Sequence, residues 1–137
     1  MKFTSLGATG LQVSVAGLGC GGNSRLGQST GSTVAESISI IHQALDLGVN
    51  FFDTAEVYGT EKILGTALHK VPRDSVIIST KCRIPEPRNL HSASQIVASL
   101  ERSLRNLHTD FVDVFHLHAV QRRDYEYVYD ELVPALL

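Results

Sequence analysis

Val49-Asn50-Phe51-Phe52-Asp53-Thr54-Ala55-Glu56-Val57-Tyr58-Gly59-Thr60-Glu61-Lys62-Ile63-Leu64 holds one full repeat of the pattern that decides the fold. Val49 to Thr54 is a short apolar run that reads as a buried strand. It closes on an ionisable residue, Asp53, and a turn containing Gly59 follows. A short helix is expected from about Glu61, with Ile63, Leu64 and Leu68 apolar.

The same strand, loop and helix pattern recurs on both sides. Upstream, Val13 to Gly19 is an apolar run closed by glycines and reads as the first buried strand. Thr33-Val34-Ala35-Glu36 has capping-box spacing and opens a helix with Val34, Ile38, Ile41 and Leu45 on one face. Gly48 is placed to end that helix. Before this unit, Gly7-Ala8-Thr9-Gly10 separates two short alternating stretches, so Lys2 to Ser14 reads as a β-hairpin. Downstream, Val76 to Lys81 is the third expected strand. Ser92-Ala93-Ser94-Gln95 is a second capping box, and Ile96, Val97, Leu100, Leu104 and Leu107 form the stripe of its helix. Phe111 to His118 is the fourth strand, and a last helix is expected from about Tyr125 to the end.

Units of about 25–35 residues have the length of parallel crossovers. Two α/β architectures fit: a doubly wound open sheet, or half of a (β/α)8 barrel of the TIM type. The chain stops at Val133-Pro134-Ala135-Leu136-Leu137, apolar and uncapped within an expected helix. That ending favours the barrel. Residues 1–137 are therefore expected to form a single, truncated domain: the N-terminal half-barrel, a hairpin plus about four βα units.

Composition narrows the function classes. The chain has 137 residues, 43% hydrophobic and 19% charged, with a formal net charge of −2. Nothing in that balance points to a nucleic-acid backbone or an anionic membrane. No apolar run approaches the ~20 residues of a membrane span, and the N-terminus lacks the apolar stretch of a signal peptide. Cys20 and Cys82 have no metal-site or CxxC spacing and read as reduced thiols of a cytoplasmic protein.

Gly17-Leu18-Gly19-Cys20-Gly21-Gly22 satisfies the GxGxxG pattern of a dinucleotide-binding turn. That turn needs a helix to begin at once, so that its first amides meet a pyrophosphate. A polar loop to Ser32 intervenes here, so a plain loop after the first strand is the better reading. The chemistry is expected at other strand ends. Asp53, Lys81 and His118 each close an apolar strand, and Tyr58 follows Asp53 in the next loop. In a parallel barrel these ends open onto one face, where the active site sits. A carboxylate keeps a neighbouring buried ammonium charged, and an ammonium beside a phenol favours the phenolate. A phenol so placed can pass a proton to or from a carbonyl oxygen, and a histidine can orient that oxygen.

The stretches Phe51 to Gly59, Glu61 to Gly65 and Ser79 to Lys81 resemble the signatures of the aldo-keto reductase family. Asp113 to His118 resembles its fourth-strand motif, and Leu6 to Ser14 its N-terminal hairpin. The resemblance covers essentially the whole chain. It implies Tyr58 as general acid/base, Lys81 as its modulator, Asp53 as the partner of Lys81, and His118 as the orienter of the substrate carbonyl. It also implies a metal-free reaction with NADP(H) or NAD(H), with Gly19, Cys20, Gly21 and Asp53 near the cofactor. The substrate would be a small carbonyl compound or sugar. His116-x-His118 is similar to the aldose and L-galactose dehydrogenase branch, which oxidises a sugar at its first carbon. Members run to about twice this length, and the second half supplies most of the cofactor site. Unpaired half-barrel edges would also permit self-association.

Two other readings compete. His116 and His118 fall on one strand face and could bind zinc in a barrel hydrolase. That would need Asp53 and one of His42, His69, His91 or His108 as further ligands. A non-enzymatic accessory or cofactor-sensing subunit, or an inactive fragment, would also retain these residues.

Overall fold

The computed structural model describes residues 1–84 and 92–137. A two-stranded antiparallel hairpin, β1 (Phe3–Ser5) and β2 (Gln12–Ser14), precedes a parallel sheet of β3 (Leu18–Gly19), β4 (Phe51–Asp53), β5 (Ile77–Arg83) and β6 (Val114–His118). The sheet order is β3-β4-β5-β6, and helices α1 (Val34–Asp46), α2 (Glu61–Leu68) and α3 (Ala93–Leu107) follow the first three parallel strands. Sequential order with a helix after each strand is the winding of a (β/α)8 barrel rather than of a doubly wound sheet, whose strand order reverses. Among the described residues, no helix is long and apolar enough to cross a membrane.

Both capping boxes form. The Thr33 side chain accepts from the Glu36 amide while the Glu36 carboxylate accepts from the Thr33 amide, and Ser92 and Gln95 do the same for α3. At the other end of α1, Gly48 adopts a φ of 82°. Its amide bonds to Leu45, and the Val49 amide bonds to Ala44. That Schellman arrangement satisfies the last carbonyls and turns the chain into β4.

Several sequence expectations need correction. Val13 and Ser14 belong to the hairpin, leaving only Leu18–Gly19 as the barrel strand. The Ser14 amide donates to the Asn50 side chain and the Asn50 amide to the Ser14 hydroxyl, which ties the hairpin to the start of β4. Val34 and Val97, assigned to apolar stripes, are exposed. The buried faces run through Ser37, Ile41 and Ala44 on α1 and Ile96, Ser99, Ser103 and Leu107 on α3. Ser37 donates to the Leu26 carbonyl and Ser99 to Glu56, so these buried positions face polar loop atoms, which a count of apolar residues does not register. Strand β6 starts at Val114, and Phe111 lies half-exposed beneath the Arg73 guanidinium, 4.0 Å from its ring centre. Finally, the terminal segment is not one helix. An α-turn (Tyr125–Tyr127), a π-turn (Val128–Leu132) and a 3-10 turn (Val133–Leu136) succeed one another. Pro134 has no amide to donate and crowds the preceding carbonyls, so regular geometry cannot continue through it.

The core lies outside the sheet. Phe52, Ile78, Leu64, Ile41 and Leu107 pack between the strands and helices α1 and α2. A second cluster of Cys82, Ile84, Ile96, Val128 and Leu132 closes the β5–β6 side. Helices α2 and α3 meet at Gly65, where a Cβ would stand 2.6 Å from the Asn106 carbonyl oxygen and the Leu107 carbonyl carbon. Gly65→Ala gains about 1 kcal/mol of helix propensity against an overpacking cost of about 1–3 kcal/mol or more, because the obstacle is backbone. The variant is therefore expected to unfold at lower urea than wild type. A raised midpoint would show that the two helices do not approach this closely.

Candidate active site

Parallel register sorts the strand residues into layers. Gly19, Asp53, Ser79 and Val114 are successive register partners across the sheet. Lys81 and His116 form the next layer, and Arg83 and His118 the one beyond. Because side chains alternate with period two, these residues share the face opposite the helices, which is the inner face of the barrel.

The layers are bonded to one another. Lys81 Nζ donates to Asp53 Oδ2 at 2.6 Å and to the Thr54 carbonyl at 2.8 Å. The other carboxylate oxygen, Asp53 Oδ1, accepts from the Ser79 hydroxyl at 2.7 Å. Ser79 has a single proton and gives it to Asp53, so it must accept from His116 Nε2, 3.1 Å away. His116 thus carries its proton on Nε2. The result is one chain of donors, His116 to Ser79 to Asp53, met from the other side by Lys81.

Tyr58 comes from the loop after β4. A 3-10 turn (Glu56–Tyr58) brings its ring to 5.4 Å from Lys81 Nζ, measured to the ring centre, within the range of a cation–π contact. The His118 ring meets it edge-on, with centroids 5.9 Å apart and planes at 84°. On the remaining side is Gly21, where a Cβ would stand 2.4 Å from Tyr58 Cε2. Asp53, Tyr58, Lys81 and His118 therefore converge on one face at the carboxyl ends of the strands. Burial holds the His118 imidazole below its usual pKa, helped by the nearby Lys81 and Arg83 charges, and its Nδ1 is buried without a hydrogen-bond partner.

The remaining sequence candidates fall as follows. Gly19 lies beside Asp53 with nothing within 4 Å of a Cβ position, so the backbone there is open to a ligand. Cys20 is fully buried in the outer core; its amide donates to the Asp53 carbonyl and its carbonyl accepts from Thr60. Burial pushes its thiol up to about 12, so it stays protonated at neutral pH. Both cysteines are free. Of the further zinc ligands considered, His42 binds the Ala67 carbonyl, while His69 and His108 pair edge-to-face with each other. His91 lies outside the described residues. Among the described residues, no group of three or more His, Cys, Asp or Glu side chains is arranged to hold a metal. A cleft of about 290 Å³ is lined by Leu68, His69, Val76, Leu107 and His108. It borders none of the four converging residues. Geometry of reactive groups is the better guide, since half a barrel leaves its inner face open rather than enclosed.

Sequence reasoning missed Ser79, which was legible as the residue two before Lys81 on the same face. It also missed Glu61, 2% exposed at the start of α2. The Glu61 carboxylate accepts from the Thr80 hydroxyl at 2.8 Å and from Asn106 at 3.0 Å. No local pattern distinguishes such a glutamate from a solvated one.

Fold and site together define a parallel half-barrel with an acid/base cluster at the carboxyl ends of its strands. The family model of the aldo/keto reductase family matches residues 17–136, and the chain belongs to that family. It is 35% identical to L-galactose dehydrogenase of Arabidopsis thaliana over 142 aligned residues, covering 99% of this chain and 44% of that protein. Aldo-keto reductase YhdN of Bacillus subtilis is 35% identical over 128 residues, covering 86% of this chain and 38% of that protein. Among solved structures, the aldo-keto reductase AKR11C1 from Bacillus halodurans in its holo form superposes with a TM-score of 0.79 at 30% identity, covering 98% of this chain and 45% of that one. The chain thus spans less than half the length of these relatives.

The depressed His118 value carries a pH dependence. The unfolded chain takes up a proton near ~6.5, while the folded site takes it up only at lower pH. Stability from this residue is present above that range and is lost as pH falls through it. In an NMR titration, His118 is expected to have a midpoint below the ordinary histidine value. Lys81→Met should raise that midpoint, since it removes a cation and leaves Asp53 without its partner. An unmoved midpoint would show that the two charges are not neighbours.

Proposed function

We propose that this chain is the proton-transfer half of an NAD(P)(H)-dependent oxidoreductase that interconverts an aldehyde, ketone or aldose with the corresponding alcohol or lactone. The observation that carries the reading is the convergence of Tyr58, Lys81, Asp53 and His118 on the inner barrel face. In the reducing direction, the Tyr58 hydroxyl donates its proton to the carbonyl oxygen; in oxidation the phenolate takes it back. Lys81, fixed by Asp53 and the Thr54 carbonyl, sets its ammonium 5.4 Å from the centre of the Tyr58 ring. His118, neutral at physiological pH because burial disfavours its cation, serves as a hydrogen-bond partner for the substrate oxygen rather than as a second acid.

A nicotinamide cofactor, when bound, supplies or accepts the hydride. Gly19, whose Cβ position is open, and the neighbouring Asp53 would help hold that cofactor. Gly21 contributes by seating the Tyr58 ring, and Cys20 by holding the end of β3 through backbone bonds. The relative named L-galactose dehydrogenase supports a sugar as substrate. Free, buried cysteines accord with a reducing, cytoplasmic setting. Strand β6 is an open edge of the described sheet, so pairing through it, with a second copy or with a second half-barrel, belongs to the same reading.

Residues 1–137 alone are expected to bind NADPH more weakly than micromolar in a fluorescence titration, and micromolar binding with turnover would overturn that. In a form that turns over, Tyr58→Phe should lower kcat by about 10²–10⁴-fold, the range of general acid/base catalysis. Retention of wild-type kcat by that variant would remove Tyr58 from the mechanism.

A further inference from the structure

Tyr58 is the least anchored member of the cluster by sequence, because it sits on a loop while its three partners sit on strands. What holds it is a side chain that faces away from the barrel interior. Glu56 opens the same 3-10 turn two residues earlier. Its Oε2 accepts a short hydrogen bond from the Ser99 hydroxyl and a second, at 3.1 Å, from Arg102 Nη2, both on α3. Ser99 is 1% exposed and belongs to the buried face of its helix, whereas Arg102 stands at the rim, with about half its side chain exposed.

Burial separates the two contacts. A half-exposed arginine in an ion pair is largely screened by solvent, so Arg102 alone would fix little. A buried hydroxyl donating to a carboxylate is a charge-assisted bond and the stronger of the two. Removing it leaves the carboxylate with Arg102 as its remaining donor on α3. The turn spans only Glu56, Val57 and Tyr58, and the Tyr58 amide bonds back to Ala55. Glu56 and Tyr58 therefore share one hydrogen-bonded turn, so anchoring the Glu56 side chain limits where that turn can carry the Tyr58 ring. Any such movement meets the ring's tight seat at Gly21 on one side and His118 on the other.

We propose that Glu56 and Ser99 are positioning residues for Tyr58: helix α3 holds the phenol in its place between Gly21, Lys81 and His118 by gripping the Glu56 carboxylate, with Arg102 as an auxiliary donor. The consequence for rate rests on the oxidoreductase reading; the positional consequence does not.

The test uses the full chain labelled with ¹³Cζ-tyrosine. The chain has four tyrosines, and Tyr58→Phe identifies the Tyr58 resonance by its loss. Ser99→Ala and Glu56→Gln are expected to shift the Tyr58 resonance and weaken its ring contact with His118, leaving Tyr125, Tyr127 and Tyr129 in place. Ser99→Thr, which keeps the hydroxyl, should restore both. Where the preparation turns over, Ser99→Ala should lower kcat about tenfold to a hundredfold with KM within about twofold, the size of effect expected from misplacing a catalytic group. Should Ser99→Ala not fold, the isosteric Glu56→Gln reads out the same contact. Tyr58 resonances unmoved in the folded variants, or an unchanged kcat beside wild-type turnover, would overturn the proposal. Absence of turnover by residues 1–137 alone is what the proposed function expects of this chain, and the resonance comparison then decides this proposal by itself.

Discussion

Lys81 cannot leave the barrel interior without giving up a carboxylate and a carbonyl at once, and the rest of the site is arranged around that fact. Its ammonium is mostly buried, with the side chain 15% exposed, and a cation in such a place is costly unless paired and hydrogen-bonded. Asp53 offsets the cost, and Asp53 is in turn held by Ser79. Because Asp53 and Ser79 are register partners on adjacent strands, the ion pair also staples β4 to β5. The Thr54 carbonyl, the second acceptor for Lys81, fixes the chain where it leaves β4 for the loop carrying Tyr58. Electrostatics and topology are here one constraint: the pair is stable only in the correct register, and the correct register places the ammonium beside the phenol.

The loop between β4 and α2 extends that logic away from the inner face. Thr54 and Thr60 flank the segment that bears Tyr58, and their hydroxyls lie 3.1 Å apart in a fully buried setting. Thr60 passes its own proton to the Cys20 carbonyl, so the Thr54 hydroxyl is the donor between the two threonines. This short relay runs from the end of β4 through the start of α2 to the end of β3. It satisfies buried polar atoms that would otherwise cost about 1–3 kcal/mol each. It also closes the loop at its base, leaving the five residues from Ala55 to Gly59 between the two threonines.

The existence and order of the parallel strands, the capping boxes and the Gly48 stop were legible because each is written in neighbouring residues. Asp53, Lys81 and His118 could be read for a related reason: an ionisable residue closing an apolar run is locally anomalous, and parallel topology carries such anomalies to one end. The helix faces were harder. Val34 and Val97 satisfy helical periodicity yet face outward, since burial depends on what lies opposite, and opposite partners are distant in sequence. Ser99, Ser103 and Glu61 were illegible for the converse reason. Each is polar in isolation, and Ser99 and Glu61 acquire their burial together with a partner some 19 to 45 positions away. Lys81 was expected to end its strand, but β5 continues to Arg83. That extension sets a further charged layer beyond the ion pair and contributes to the lowered pKa of His118.

The two faces of the sheet differ in how much chain they need. The outer face is closed by neighbours in sequence, each helix covering the strands that flank it, so its core is complete within these residues. The inner face of a barrel is closed by strands from across the ring, which no local segment can supply. Yet the cluster on that face does not wait for them. His116, Ser79, Asp53 and Lys81 satisfy one another along three adjacent strands, and Tyr58 is held from the helical side by α3. The bonded cluster is thus assembled from contiguous elements, whereas the opposite wall of a barrel comes from segments distant in sequence. None of the bonds within that cluster calls on a residue outside these contiguous elements.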